Sequence, residues 1–292
     1  MNTLLNRLEQ GDILISDGAT GTYLQNHGLE AGGCPELFNS THPETVHAMA
    51  EGYFQAGSDM VETNSFGGSR YMLQKYNLAD RVEELNRLSA EHARKAASPD
   101  QFVLGSIGPT GEFLEPNGTA TPDAMYEIFL EQVRGLTSGG VDGFCIETMS
   151  DIDEISLAVR AAKDHTDLPV ITTMTFDKGP RGFFTMMGVT PEFAAEKLTE
   201  LGADIVGSNC GLAIEAMIEI IRAMRSATDR PILTHINAGI PTLIKGDIVY
   251  PDTPALMAER IPEMVQAGAN IVGGCCGTNA EHIRAFAKQL KS

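Results

Sequence analysis

Three cysteines stand where short apolar runs of the chain give way to small and polar residues. Cys275 and Cys276 are adjacent in the stretch IVGGCCGT, and Cys210 follows the run ADIVGSN. Three thiolates that met at one point would repel one another without a cation, and Zn²⁺ takes sulfur ligands in tetrahedral geometry. Three protein ligands leave one position open, which is typical of a catalytic zinc site. Cys210, Cys275 and Cys276 are therefore predicted to bind one Zn²⁺ per chain.

The adjacent pair needs a turning backbone. Neighbouring residues of a regular strand point to opposite faces, so Cys275 and Cys276 can share an ion only where the strand has ended. The glycines on both sides of the pair permit such a turn. A vicinal disulfide and chance adjacency remain as alternatives. Cys34 and Cys145 are interpreted as packing residues, because a lone cysteine behaves as a small apolar side chain.

The ligand set also indicates the type of substrate. Three thiolates donate much charge to zinc, which weakens its activation of water and favours a softer fourth ligand such as a substrate thiol. Zinc lowers the pKa of a bound thiol and holds it as the nucleophilic thiolate. The pattern therefore predicts alkylation of a thiol. A zinc hydrolase on the same scaffold and a non-catalytic zinc protein are the alternatives.

Apolar runs alternate with amphipathic stretches along the chain. The stretch 43–57 begins with Pro and ends with Gly, as helices often do, and 190–204 and 281–291 look similar. Strands that alternate with helices predict parallel βαβ units. Eight repeats without a GxGxxG after the first run favour one α/β domain over residues 1–292, a (β/α)₈ TIM barrel, over an open doubly wound sheet. The eight runs are 13–21, 58–67, 102–111, 141–150, 169–177, 203–211, 231–239 and 269–277.

Polar residues lie at the ends of the predicted strands. Catalytic groups of a TIM barrel sit at these C-terminal ends, so residues far apart in the sequence are expected to converge on one rim. Two of them, Glu62 and Asn64, could instead cap loops. His235 is interpreted as a packed or hydrogen-bonded core histidine, because three thiolates already suffice for a metal. The strand-end residues are Asp17, Glu62, Asn64, Glu147, Asn209, Cys210, Asn237, Cys275 and Cys276.

The charge of the chain restricts its partners. The 292 residues include 39 acidic and 21 basic ones, which gives a formal net charge of −18. Such a surface repels nucleic-acid phosphates and anionic membranes, so neither is expected as a partner. The sequence has no apolar segment long enough to span a bilayer and no apolar signal-peptide core near Met1. The expected location is therefore the cytoplasm.

Several motifs together resemble those of the zinc-dependent homocysteine S-methyltransferase family. SNCG (208–211) and GGCCGT (273–278) are similar to its zinc signature, and DGATGT, VETNSFGG, GPTGE, ETMSD and NAGIP also match. The resemblance covers essentially the whole chain. It is closest to the homocysteine-binding module of cobalamin-dependent methionine synthase. It implies a zinc-bearing (β/α)₈ barrel that methylates homocysteine to methionine.

The resemblance also implies roles for single residues. The three cysteines would be the zinc ligands. Asp17 and Gly18 would meet the amino-acid end of homocysteine, and Glu147 would bind its ammonium group. Asn64 and Asn209 would shape the pocket.

The methyl donor is not determined by these motifs. The sequence shows no DxHxxG of the kind that ligates a corrinoid and no second barrel for a folate, so neither a cobalamin nor a folate site is expected in this chain. The resemblance favours a separate methylated corrinoid protein that docks at the rim. The Gly- and Pro-rich loop 108–123 is predicted to lie over the mouth of the active site, where it could face the donor. A small donor such as S-methylmethionine or betaine is the alternative. A cation site for such a donor could use Tyr23, Phe66, Tyr71 and Phe176, which lie near strand ends.

Overall fold

Eight parallel strands, here numbered β1 to β8 in chain order, form one sheet in the computed structural model, which describes residues 3–244 and 247–291. From β2 to β8 each strand pairs with the next along the chain, and β8 pairs with β1, so the sheet curls round on itself. The predicted TIM-barrel fold is confirmed. The strands are Leu14–Ile15, Met60–Glu62, Phe102–Ile107, Gly143–Met149, Val170–Met174, Ile205–Asn209, Ile232–Ile236 and Ile271–Gly274.

Side chains help to close the seam between β1 and β2. Strand β1 has only two residues and cannot form a full ladder with β2. The backbone N–H of Asp59 donates to Ile15 O at 2.7 Å, and the Asp59 carboxylate accepts from Ile15 N at 2.8 Å. Beyond the other end of β1, the Asp17 carboxylate accepts from Glu62 N at 2.8 Å. Two aspartates therefore replace ladder bonds at opposite ends of one seam.

Helices alternate with the strands, as predicted. The stretch 43–57 forms the helix Pro43–Ala56, which ends at Gly57 with a φ of 108° in the left-handed region that favours glycine. The helices are α1 Leu4–Glu9, α2 Thr20–Asn26, α3 Phe38–Thr41, α4 Pro43–Ala56, α5 Arg70–Gln74, α6 Val82–Ala96, α7 Pro122–Ser138, α8 Ile152–His165, α9 Pro191–Glu200, α10 Ile214–Arg225, α11 Pro254–Ala267 and α12 Ala280–Lys291. Among the described residues, none of them is long and apolar enough to cross a membrane.

The core has one layer inside the barrel and another between the strands and the helices. The inner layer takes an apolar side chain from every strand, and Leu4 and Leu8 of α1 pack against it. Cys145 belongs to this layer and is fully buried, which agrees with its interpretation as a packing residue. The N-terminal end of the barrel interior is thereby filled.

Two short hairpins interrupt the loops that follow β5 and β7. Residues 177–179 pair with 182–184, and residues 242–244 pair with 247–249, both antiparallel. The sequence pattern did not predict them, because three-residue strands without regular apolar alternation resemble ordinary loop sequence. Both hairpins extend from the C-terminal ends of barrel strands, the end at which the polar residues were expected to converge.

Candidate metal and substrate site

The three cysteines predicted to bind a metal converge at the C-terminal rim of the barrel. Cys210 follows β6, Cys275 and Cys276 follow β8, and the three Sγ atoms all lie within 4.8 Å of one another. Cys210 Sγ and Cys276 Sγ are 3.9 Å apart. Tetrahedral ligands with a Zn–S distance of about 2.3 Å lie about 3.8 Å from each other, so this donor set fits zinc. All three are free thiols, so the alternative of a vicinal disulfide is not realised.

The close approach of the thiols couples their ionisation. Hydrogen bonds from Cys275 and Cys276 stabilise the Cys210 thiolate and lower the pKa of Cys210 to about 2. The same hydrogen bond, in which Cys276 is the donor, raises the pKa of Cys276 to about 11. The pKa of Cys275 is raised for the same reason. All three thiols can lose their protons together only beside a cation.

Steric restrictions explain why glycines surround the cysteine pair. Gly277 has a φ of +81°, and a Cβ there would overlap the ring of Tyr250. A Cβ on Gly274 would overlap the side chain of Thr278, which donates a hydrogen bond to Cys275 O at 2.7 Å. The predicted turn is therefore present, and glycine is the residue that fits it.

Cys210 holds a strained backbone conformation. Its φ is +62°, in the left-handed region that residues other than glycine rarely adopt, and Gly211 follows with a φ of +75°. Its N–H donates to His235 O at 3.1 Å, which holds the turn against β7. Such a conformation costs about 1–3 kcal/mol and persists where surrounding contacts enforce it, often at functional sites.

A cavity of about 240 Å³ opens beside the three sulfurs. Of the five residues predicted to contact substrate, Gly18, Asn64 and Glu147 line it, whereas Asp17 and Asn209 do not. Three of the five residues therefore belong to the cavity wall, and the other two lie outside it. Further residues of the wall are Pro35, Glu36, Glu62, Phe66, Ser106, Thr148 and His235.

Glu147 reaches the cavity from an irregularity in β4. The register between β4 and β5 shifts around this residue, and Thr148 has a φ of +60°. A bulge of this kind turns a side chain away from its regular direction. Glu147 Oε1 accepts a hydrogen bond from Ser106 Oγ at 2.5 Å, and its Oε2 accepts from Asn209 Nδ2 at 3.1 Å. Burial raises the pKa of Glu147, whereas hydrogen bonds from Ser106, Glu62 and Thr148 oppose the shift by stabilising the anion.

Asn209 lies against Glu147 and is fully buried. Its Nδ2 also donates to Thr148 Oγ1 at 2.7 Å, and its Oδ1 accepts from Thr148 N at 2.9 Å and from Thr173 Oγ1 at 2.8 Å. The amide therefore makes four hydrogen bonds inside the protein. Its connection to the cavity is indirect, through the position of Glu147.

Asp17 and Gly18 both follow β1, but Asp17 is a buried carboxyl group whereas Gly18 lines the cavity. Burial raises the pKa of Asp17 to about 7, and the charge of Glu147 adds to this, against the stabilising hydrogen bond from Glu62 N. A Cβ on Gly18 would lie 2.9 Å from both Thr278 Oγ1 and Tyr53 Cε1, so a larger residue does not fit without movement. Gly18 thus lines the cavity with its backbone.

Asn64 joins the loop after β2 to the segment before α3. Its Nδ2 donates to Pro35 O at 2.8 Å and to Asn39 Oδ1 at 2.9 Å. Nearby, the buried Glu36 accepts from Gly67 N at 2.7 Å. Pro35 and Glu36 are wall residues that the sequence analysis missed. No motif marks them, because they reach the cavity only after this segment has folded across the rim.

His235 is buried, as predicted, but its ring lines the cavity. Its Nδ1 lies 3.7 Å from Glu62 Oε1, which is longer than a hydrogen bond. Within the described part of the chain, its Nε2 has no hydrogen-bond partner. Burial lowers the pKa of His235 to about 4, so the imidazole is neutral at pH 7.

The aromatic residues considered for a cation site do not gather at the cavity. Phe66 lines it, but Tyr71 faces a separate groove and Phe176 is only 1% exposed. The loop 108–123, which was predicted to lie over the mouth, contributes no residue to the wall and lines the same groove as Tyr71. A Cβ on Gly108 would meet the Phe66 ring at 2.6 Å, so this loop approaches the wall there.

Two methionine synthases are similar to this chain. The one from Mycobacterium leprae is 32% identical and the one from Mycobacterium tuberculosis 33% identical, each over 97% of this chain and 25% of the relative. The chain therefore spans about a quarter of the length of these relatives.

Solved structures share the fold at lower identity. The homocysteine methyltransferase MmuM from Escherichia coli, in its metallated form, superposes with a TM-score of 0.81 at 22% identity, covering 97% of this chain and 98% of that chain. The carboxyl transferase domain of pyruvate carboxylase from Rhizobium etli reaches 0.55 at 17% identity, covering 95% of this chain and 47% of that one. Both likenesses support the barrel fold.

A family model also matches the chain. The model of the homocysteine S-methyltransferase family matches residues 14–290, which include every strand of the barrel and all three cysteines of the rim. The chain belongs to the homocysteine S-methyltransferase family.

Proposed function

We propose that this chain transfers a methyl group to the thiol of homocysteine and so forms methionine, with Zn²⁺ held by Cys210, Cys275 and Cys276. The convergence of these three sulfurs on a cavity that also exposes the Glu147 carboxylate carries the proposal. When bound, zinc would lower the pKa of the substrate thiol and favour its nucleophilic thiolate form.

The protein side chains orient the substrate. Glu147 accepts the ammonium group of homocysteine, and Ser106 and Asn209 hold the carboxylate of Glu147 in place. Gly18 lets the substrate approach the backbone after β1. The thiol then points to the cysteines, because both ends of the cavity belong to one space of about 240 Å³.

The chemical step is a direct displacement. The sulfur of homocysteine forms a bond to the methyl carbon while the bond between that carbon and its donor breaks, so no covalent intermediate with the protein is needed. Asp17 and Asn209 act on this step only through the groups that they position. Asn64 keeps the Pro35 wall of the cavity in place.

A methylated corrinoid protein is the donor we propose. The similarity to methionine synthases supports it, because those relatives extend far beyond the matched quarter of their length. Leu243 and Ile248, on the hairpin after β7, are 75% and 68% exposed, which suits contact with a protein at this rim. S-Methylmethionine or betaine is the alternative donor, and the dispersed aromatic residues offer it no cage.

A donor comparison tests the proposal. The zinc-loaded protein is incubated with homocysteine and a trideuteromethyl donor, and labelled methionine is measured by mass spectrometry. We expect product from methylcobalamin, used as the probe for the corrinoid donor, with wild type and Cys34→Ala, and none with Cys276→Ala. Product from S-methylmethionine or betaine alone would replace the donor assignment. A folded, zinc-loaded wild type that forms methionine from none of the three would contradict the function.

A further inference from the structure

Three carboxyl groups meet around the cavity without a cation supplied by the protein. They belong to Asp17, Glu62 and Glu147, from the first, second and fourth strands or the residues just after them. Glu62 and Glu147 both line the cavity, and the Asp17 carboxylate accepts a hydrogen bond from Glu62 N at 2.8 Å, so the three groups lie close together. Burial raises the pKa of Asp17 and of Glu62, and the charge of Glu147 raises both further. Among the described residues, no Lys or Arg pairs with any of them. Buried negative charge without such a partner is unfavourable.

Glu62 and Glu147 lie close together in space, but the protein gives their carboxyl groups different numbers of hydrogen bonds. Glu147 accepts hydrogen bonds from Ser106, Asn209 and Thr148. Glu62 Oε1 is buried and, in the part of the chain that the structure describes, accepts none. Burial, followed by the charge of Glu147, raises the pKa of Glu62 well above its usual range. Hydrogen bonds therefore stabilise the anion of Glu147, whereas burial without a donor to Oε1 favours the protonated form of Glu62.

The other groups that face Glu62 do not supply positive charge. His235, from β7, is neutral at pH 7 because burial lowers its pKa to about 4. Cys145, from β4, stays a thiol because burial raises its pKa well above the usual value. Asp17 is a further acid. The buried Nε2 of His235 lines the same cavity and lacks a partner among the described residues, so this side of the wall has polar atoms that a ligand could satisfy.

We propose that Glu62 is a second binding residue for the substrate ammonium group, beside Glu147, and that it releases a proton when the ammonium arrives. The O–H bond of the Glu62 carboxyl breaks, its proton leaves to solvent, and the ammonium N–H groups donate to both carboxylates. No electrons are transferred. The inference deepens the proposed function, because it rests on an amino acid as the ligand of this cavity. It makes the site selective for a cationic amine at the end away from the sulfurs.

Methionine is a suitable probe because it carries the ammonium group but has no thiol proton to lose. The zinc-loaded protein is titrated with methionine by calorimetry at pH 7 in two buffers with different enthalpies of ionisation, which gives the number of protons released. We expect wild type to release about one proton per site more than Glu62→Gln, with at least about tenfold weaker binding by the variant. The matched control is Glu154→Gln, since Glu154 is also a buried acid, bonded to Thr110 outside this cavity, and should leave the release unchanged.

A second ligand keeps the test independent of how the variant folds. The hydroxy analogue of methionine lacks the ammonium group and should bind wild type without releasing a proton. Methionine binding by wild type without proton release, or equal release by Glu62→Gln, overturns the role of Glu62. Equal release with the hydroxy analogue overturns it as well. If wild type binds methionine without release yet methylates homocysteine, only the inference fails, whereas absence of both binding and methylation contradicts the proposed function too.

Discussion

Asp17 and Asp59 close the same seam at opposite ends of the barrel, but their surroundings differ. Each accepts a hydrogen bond of 2.8 Å from the backbone of the neighbouring strand. At the N-terminal end, Asp59 is also paired with Arg7 at 3.0 Å and with Lys291 at 3.1 Å. At the C-terminal end, Asp17 lies near two further carboxyl groups and no Arg or Lys among the described residues.

This difference in neighbouring charges distinguishes two ends of the barrel, one that stabilises the fold and one that binds ligand. Where the protein supplies both charges, as around Asp59, the carboxylate is satisfied in the folded chain and nothing remains to be bound. Where it supplies only negative charge, as around Glu147, part of the compensation is left to a ligand. The strained φ angles of Thr148 and Cys210 occur at the same functional end. Stability and binding are therefore assigned to different ends of one barrel, as is usual for this fold.

The largest expected effect follows from removing the charge at the functional end. Glu147→Gln should lower kcat/KM for homocysteine about 1,000-fold, or about 4 kcal/mol, mainly through KM, because the substrate ammonium loses its anchor. Steady-state kinetics measure this. The free energy of unfolding should not fall, since an uncompensated buried charge has been removed. A normal KM in the variant would contradict the role of Glu147.

Removing a carboxylate at the stabilising end should lower the stability of the protein and leave substrate binding unchanged. Asp59→Asn should lower the free energy of unfolding by about 2–3 kcal/mol, because Arg7 loses a partner in a largely buried pair. Denaturant titration measures this loss, and the KM for homocysteine should stay within about twofold of wild type. A raised KM without a loss of stability would show that the two ends are not separate.

A smaller effect depends on pH and concerns Asp17. Its pKa in the folded protein, about 7, lies above its ordinary value of 3.8, so the folded protein binds more protons than the unfolded chain between these pH values. Stability therefore falls as pH rises through this window. Relative to Asp17→Asn, wild type should lose about 2 kcal/mol between pH 5 and pH 7. Denaturant titrations of both zinc-loaded proteins at pH 5, 6 and 7 measure the difference, and a constant difference would contradict the raised pKa.

The barrel and its three sulfurs could be predicted because both depend on regular patterns. Alternating apolar runs and helices are visible along the chain, and the rule that strand ends converge then brings Cys210 to the Cys275–Cys276 pair. The same rule placed Glu147 on the rim. Burial and cavity lining could not be predicted for each residue at a strand end.

The remaining features depend on contacts between distant segments. Asn209 is one residue before a metal-ligand candidate, yet it supports Glu147 because its amide meets Thr148 and Thr173. Pro35 reaches the cavity through a hydrogen bond from Asn64, which no local pattern signals. The absence of a cation beside Glu62, among the described residues, is also invisible in a sequence with 21 basic residues, because their positions decide it.

The metal content of the purified protein tests the central claim most directly. Zinc per folded chain is measured under reducing conditions for wild type, Cys276→Ala and the control Cys34→Ala, with the fold of each checked by circular dichroism. The account predicts about one zinc in wild type and in Cys34→Ala, and a loss of most of it in Cys276→Ala. A folded wild type that takes up no zinc, or a Cys276→Ala protein that binds it as well as wild type, would contradict the assignment of the three cysteines.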